Sequence, residues 1–120
     1  MTTTRQKQRL LIVFAPGPKD PDYAAFAREL KERSLDVAAH DILVMEALES
    51  GPSRVGDTPI EGAAVKSVRT RFSAKNGQFS VVLADKVGNV IFRADHAARL
   101  DDVLAAAEKP AGEEMTGFTG

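Results

Sequence analysis

The stretch R-L-L-I-V-F-A, Arg9 to Ala15, is apolar without alternation. That is the pattern of a strand buried on both faces, inside a sheet covered by helices on each side. Pro16 and Pro18 end it. The spacing then switches to helical: Tyr23, Phe26, Ala27, Leu30, Ser34 and Val37 recur at intervals of three and four and predict one mostly apolar stripe. Arg28, Glu29, Lys31, Glu32 and Arg33 fall largely outside that stripe. Asp20 is placed to cap the helix, Pro21 suits its first position, and Asp22 adds negative charge near its positive end. The helix is expected to end between Leu35 and His40.

D-I-L-V-M-E-A-L, Asp41 to Leu48, returns to a nearly continuous apolar run and predicts a second strand. Strand, helix and strand make a βαβ unit, which favours parallel pairing with a right-handed crossover. Residues Glu49 to Asp57 read as a loop. T-P-I-E follows, with Thr58 at a cap, Pro59 at a first helical position and Glu61 three residues after Thr58, a capping-box pattern. The helix it announces has Ile60, Ala64, Val65, Val68 and Phe72 as its buried stripe, with Lys66, Arg69 and Arg71 mostly off it.

In G-Q-F-S-V-V-L-A-D-K-V-G-N-V-I-F-R-A-D the alternation of Phe79, Val81 and Leu83 with Ser80, Val82 and Ala84 predicts a strand. A short connection from Asp85 to Asn89 leads to a second strand from Val90 to Arg93, so the pair forms an antiparallel hairpin. Asp95 or a neighbour caps a last helix on which Leu100, Val103, Leu104 and Ala107 share a face, and Pro110 ends it. The order is β-α-β-α-β-β-α in an α/β domain, a mixed sheet with a parallel βαβ half and an antiparallel hairpin. Residues 9–110 form one domain, between a flexible N-terminus at 1–8 and a flexible tail at 111–120.

A length of 120 residues suits one domain with a single core. A net charge of -1 gives no global pull toward nucleic acid or an anionic membrane. No stretch approaches the roughly 20 apolar residues of a membrane span. The basic residues Arg5, Lys7 and Arg9 precede an apolar run too short for a signal peptide, so a cytoplasmic location is expected for a chain without a removed leader. The absence of cysteine removes disulfides, thiolate nucleophiles, iron–sulfur clusters and cysteine-ligated zinc.

Two segments carry a resemblance. R-L-L-I-V-F-A-P, Arg9 to Pro16, is similar to the first strand of thioredoxin-like proteins, just before their catalytic loop. V-R-T-R-F-S-A-K-N-G-Q-F-S-V-V-L-A-D-K-V-G-N-V-I-F-R, Val68 to Arg93, is similar to the helix, linking loop and hairpin of an uncharacterised thioredoxin-like domain family. That family is found in small bacterial proteins and in animal extracellular-matrix proteins of the sushi-repeat-containing type. The resemblance spans Arg9 to Lys109 and implies a thioredoxin-like fold with no established enzymatic activity. The loop Gly17 to Pro21 has no C-x-x-C, so no thiolate can attack a disulfide. S-A-K-N-G-Q before Phe79 lacks the proline that thioredoxins place opposite their cysteines.

The loop after the first strand is the expected place for a ligand, because open α/β sheets bind at the C-terminal ends of their strands. Its candidates are Gly17, Lys19, Asp20 and Asp22: exposed amides and Lys19 could hold an anion there, while Asp20 competes as a cap and both aspartates repel one. His40 and His96 lie in separate elements without metal-ligand spacing. Asp101 with Asp102, and Glu113 with Glu114, are adjacent pairs that do not converge on a substrate. Lys66, Arg69, Arg71, Lys75, Lys86 and Arg93 could gather near one end of the hairpin, without the aromatics of a nucleic-acid platform. No glycine pattern cradles phosphate. The expectation is therefore a redox-inactive thioredoxin-like domain serving as a protein-interaction module, with no cofactor, no catalytic or metal residues, and neither nucleic acid nor membrane as partner. The alternative is an enzyme or sensor that binds a small anion at residues 17–23.

Overall fold

The computed structural model describes residues 8–95 and 98–108. The expectations for residues 1–7, His96, Pro110 and the tail lie outside them. The described residues form a mixed α/β unit with one six-stranded sheet and four helices. In chain order these are β1 (Arg9–Ala15), α1 (Pro21–Glu32), α2 (Ser34–Ala39), β2 (Ile42–Leu48), β3 (Arg54–Val55), β4 (Thr58–Pro59), α3 (Gly62–Arg71), β5 (Ser80–Ala84), β6 (Val90–Asp95) and α4 (Leu100–Ala107).

The sheet order is β4-β3-β2-β1-β5-β6. β1 runs parallel to β2, from Arg9 opposite Ile42 to Ala15 opposite Leu48, and antiparallel to β5. The expected hairpin is there: β5 and β6 pair antiparallel, with a bulge between Leu83 and Ala84. Asp85 shapes its turn, its Oδ1 accepting from the amides of Val87 and Asn89 at 3.0 and 2.8 Å.

Leu11 to Ala15 have no exposed surface, so the unbroken apolar run is explained by layers on both faces of the sheet. Leu11, Val13 and Ala15 pack with Val81 and Leu83 against Phe26, Val37, Leu100, Val103 and Leu104 from α1, α2 and α4. Ile12 and Phe14 pack with Val82 against Val65 of α3 and Phe72 just after it.

Four boundaries differ from the sequence expectation. The first helix is broken at Arg33, whose φ of -114° is not helical; Val37 stays in the core while Leu35 faces outward. Thr58 and Pro59 do not start a helix. They pair with β3 across the two-residue turn Gly56–Asp57, and Gly56 adopts a φ of +58° that favours glycine. Proline is tolerated there because β4 is an edge strand whose missing N–H costs no ladder bond. α3 therefore begins at Gly62, after Glu61 in extended conformation. The stretch expected as a loop from Glu49 to Asp57 contains β3. Asp95 ends β6 rather than capping α4: the first amide of α4, at Leu100, donates to Glu29 Oε1 of α1 at 2.9 Å.

The helices on the first face are also tied by charge. Arg33 pairs with Asp36 and Asp101. His40, at the end of α2, places Nδ1 2.7 Å from the Asp36 carbonyl and Nε2 3.0 Å from Glu108 at the end of α4. The Glu108 carboxylate, then the Asp36 carbonyl, raise its pKa above the ordinary 6.5.

Truncating Phe14 to alanine should cost about 3–5 kcal/mol by cavity formation, measurable by urea unfolding, against a total of roughly 5–15 kcal/mol for an ordinary domain. Because the folded state raises the His40 pKa, its contribution is complete below pH 6.5 and is lost as pH rises through the folded value. The midpoint of urea unfolding should therefore fall over that window in the native protein, and His40→Gln should flatten that part of the profile.

Candidate functional site

β1 and β2 are parallel, so their C-terminal ends open on the same side of the molecule, where the two loops that follow them meet. The loop after β1 is held by its neighbours. The Asp20 amide donates to the Gly17 carbonyl at 3.2 Å, and Asp20 Oδ2 accepts from the Tyr23 amide at 2.9 Å, which is the expected N-cap. The loop after β2 lies against it: the Ser50 amide donates to the Pro16 carbonyl at 3.0 Å and Ser50 Oγ to the same carbonyl at 3.3 Å. Gly51, with a φ of +96°, passes so close to Pro18 that a Cβ would sit 2.9 Å from its ring. Lys19 is exposed, while Gly17, Asp20 and Asp22 are half-buried. The structure thus gathers Gly17 and Asp20 into one folded turn and leaves Lys19 on its surface.

Beyond Ser50 a groove of about 690 Å³ opens between the Glu49–Ser53 segment and α3. Its polar lining comes from Glu49, Ser50, Lys66, Arg69, Thr70 and Asn76, and its apolar lining includes Leu48, Ile60 and Val65. This size is ordinary for a small-molecule or side-chain site.

Arg69 dominates the groove. It is only 8% exposed, and its guanidinium carbon lies 5.8 Å from the centroid of the Phe14 ring, a cation–π contact with the buried central strand. Nη2 reaches Glu49 Oε2 at 3.4 Å, the Lys75 carbonyl at 3.2 Å and Asn76 Oδ1 at 3.4 Å. Nη1 is buried and has no hydrogen-bond partner among the described residues. An unsatisfied buried donor costs about 1–3 kcal/mol, more when charged. Glu49 bridges the two sides of the groove, because Oε2 also accepts from the Gly77 amide at 2.5 Å.

Sequence reasoning placed Arg69 off the buried stripe of α3 and Ala64 on it; the structure reverses the two. The signal was present, since Arg69 lies four residues after Val65 and three before Phe72, which are its buried neighbours on the helix. The other arginines of the expected basic group are spent on structure. Arg93 donates to the Phe72 and Ser73 carbonyls at 2.6 and 3.3 Å, and Arg71 lies 5.6 Å from the Phe72 ring centroid.

On the opposite face, Tyr23 links the start of α1 to the sheet. Its hydroxyl donates to Glu46 Oε1 at 2.8 Å, and the Nε of Arg54, across the β2–β3 pair, lies 3.3 Å from the same oxygen. Burial first, then the Glu46 hydrogen bond and charge, push the Tyr23 hydroxyl up to about 12. Among the described residues no group of histidines and carboxylates has the makings of a metal site, and no helix is long and apolar enough to cross a membrane.

The chain belongs to a family described as a domain of unknown function, DUF4174, whose profile matches residues 1–106. No curated protein and no solved structure matches it significantly.

Tyr23 is the single tyrosine of the chain, so its ionisation can be followed alone by near-ultraviolet absorbance. The midpoint should lie at about 12. Glu46→Gln should move it down toward 10.0, because the carboxylate supplies both the acceptor and the charge that oppose ionisation.

Proposed function

We propose that this member of the DUF4174 family is a redox-silent, thioredoxin-like binding domain whose groove beside Arg69 receives a carboxylate. The thioredoxin-like reading draws on the strand order β2-β1-β5-β6 within the sheet, the parallel pairing of β1 with β2, and the antiparallel β5–β6 hairpin followed by α4. With no cysteine there is no thiolate for disulfide exchange.

The observation that carries the binding role is that Arg69 lines the groove while its buried Nη1 has no partner among the described residues. A guanidinium presents its donors in a planar fork that matches a carboxylate. The guanidinium rests over the Phe14 ring, and Ser50, Thr70 and Asn76 can supply further hydrogen bonds. Glu49 favours a singly charged planar anion over a doubly charged phosphate, because its own charge lies 3.4 Å from Nη2 and repulsion grows with the charge of the guest. As a protein-interaction module, the domain takes that carboxylate from an aspartate, a glutamate or a chain terminus of its partner. The loop at 17–23 contributes as the packed neighbour that holds Ser50 in place.

Titration with sodium acetate, against sodium chloride at equal ionic strength, tests this by amide and arginine-Nε chemical shifts. Saturable shifts are expected at Arg69, Asn76 and Gly77, and Arg69→Met, which keeps an apolar stem on Phe14, should abolish them. Glu49→Gln should tighten binding. Shifts no different from those in chloride would overturn the assignment.

A further inference from the structure

A second cleft, of about 540 Å³, lies on the other face of the sheet, between the α1–α2 segment and β2–β3. Its apolar wall is formed by Ala27, Leu30, Val37 and Val44, and its polar groups include Glu46, Arg54 and Asp57. Glu46 is the anomaly. It occupies a core-facing position of β2, and its side chain is only 10% exposed.

The charge of Glu46 is answered by Arg54, and the answer is loose. Arg54 is 54% exposed, and its Nε lies 3.3 Å from Glu46 Oε1, at the long end for a charged pair. It stands on a strand of two residues. Tyr23 donates to the same oxygen that Arg54 approaches, and neither contact uses Oε2. A buried carboxylate needs a cation, and the one paired with Glu46 is more than half exposed.

We infer that this cleft is a binding site for an alkylammonium group, in which the ammonium replaces Arg54 at Glu46 and the attached alkyl chain lies on Ala27, Leu30, Val37 and Val44. The compact ammonium has three donors to direct at the carboxylate. Asp57, also in the lining, favours the same sign of charge, and Lys31 opposes it from α1. The ammonium is carried either by a free amine or by a lysine side chain of another protein. The inference does not depend on the Arg69 groove, which lies on the opposite face of the sheet.

Two probes separate those sources: n-butylamine, and lysine blocked at both backbone ends. Saturable amide shifts at Ala27, Leu30 and Val44 with n-butylamine are expected, and their absence with n-butanol would tie them to charge. Arg54→Ala should tighten binding several-fold by removing the internal competitor, and Glu46→Gln should abolish it. Binding of blocked lysine as well as butylamine assigns the site to a protein side chain, and binding of butylamine alone assigns it to a free amine. If neither amine shifts these residues in the native protein or in the folded Arg54→Ala variant, or if butanol does so equally, the cluster only pins α1 to the sheet and the inference is overturned.

Discussion

The structure depends on the complete burial of the C-terminal five residues of β1. Five consecutive residues, Leu11 to Ala15, reach no solvent, which requires a strand on each side and a helical layer above and below. β2 supplies one neighbour in parallel and β5 the other in antiparallel sense. α1, α2 and α4 cover the odd-numbered side chains, while α3 and Phe72 cover the even-numbered ones. Side chains that alternate between faces can all be apolar only under this arrangement. The groove beside Arg69 and the cleft beside Glu46 both open past β1, toward the short strands β3 and β4.

Most of the fold was legible because it follows from period. The unbroken run of β1, the helical stripe from Tyr23 and the alternation from Phe79 each allow one local structure, and the hairpin turn carries Asp85, Gly88 and Asn89 in the places where a tight connection needs them. The Asp20 cap was legible for the same reason, as a local hydrogen bond between neighbours in sequence. The errors come from signals that compete at short range. T-P-I-E satisfies a helix start, yet V-G-D-T just before it satisfies a two-residue hairpin turn, and the cross-strand ladder from Met45 opposite Val55 to Glu46 opposite Arg54 decides between them. Local pattern cannot weigh a partner strand that is supplied from elsewhere in the chain.

The two clefts were less legible because the telling residue of each sits inside an apolar pattern. Arg69 falls among Val65, Val68 and Phe72, and Glu46 among Val44, Met45, Ala47 and Leu48. A pattern that scores most of its positions as expected hides a single charge. The physical reason each is tolerated emerges only from tertiary contacts: the Phe14 ring and three acceptors for Arg69, the Tyr23 hydroxyl and Arg54 for Glu46. The candidates read from sequence, Gly17, Lys19, Asp20 and Asp22, were chosen for a loop position that the fold does provide. Its cap amide is already engaged by Asp20.

That engagement is one of several contacts that hold the loop after β1. Its shape is set by the Asp20 cap, by the Gly17 and Pro16 carbonyls accepting from Asp20 and Ser50, and by the close approach of Gly51 to Pro18. None of these uses a thiol. The same contacts deliver Ser50 to the rim of the Arg69 groove, and Glu49 beside it bonds both Arg69 and the Gly77 amide that leads into β5. A turn stabilised in this way serves as a brace between the ends of β1, β2 and β5. Because buried charge is far costlier to strand than to pair, the brace matters for Arg69: it supplies the acceptors for Nη2, while Nη1 has none among the described residues.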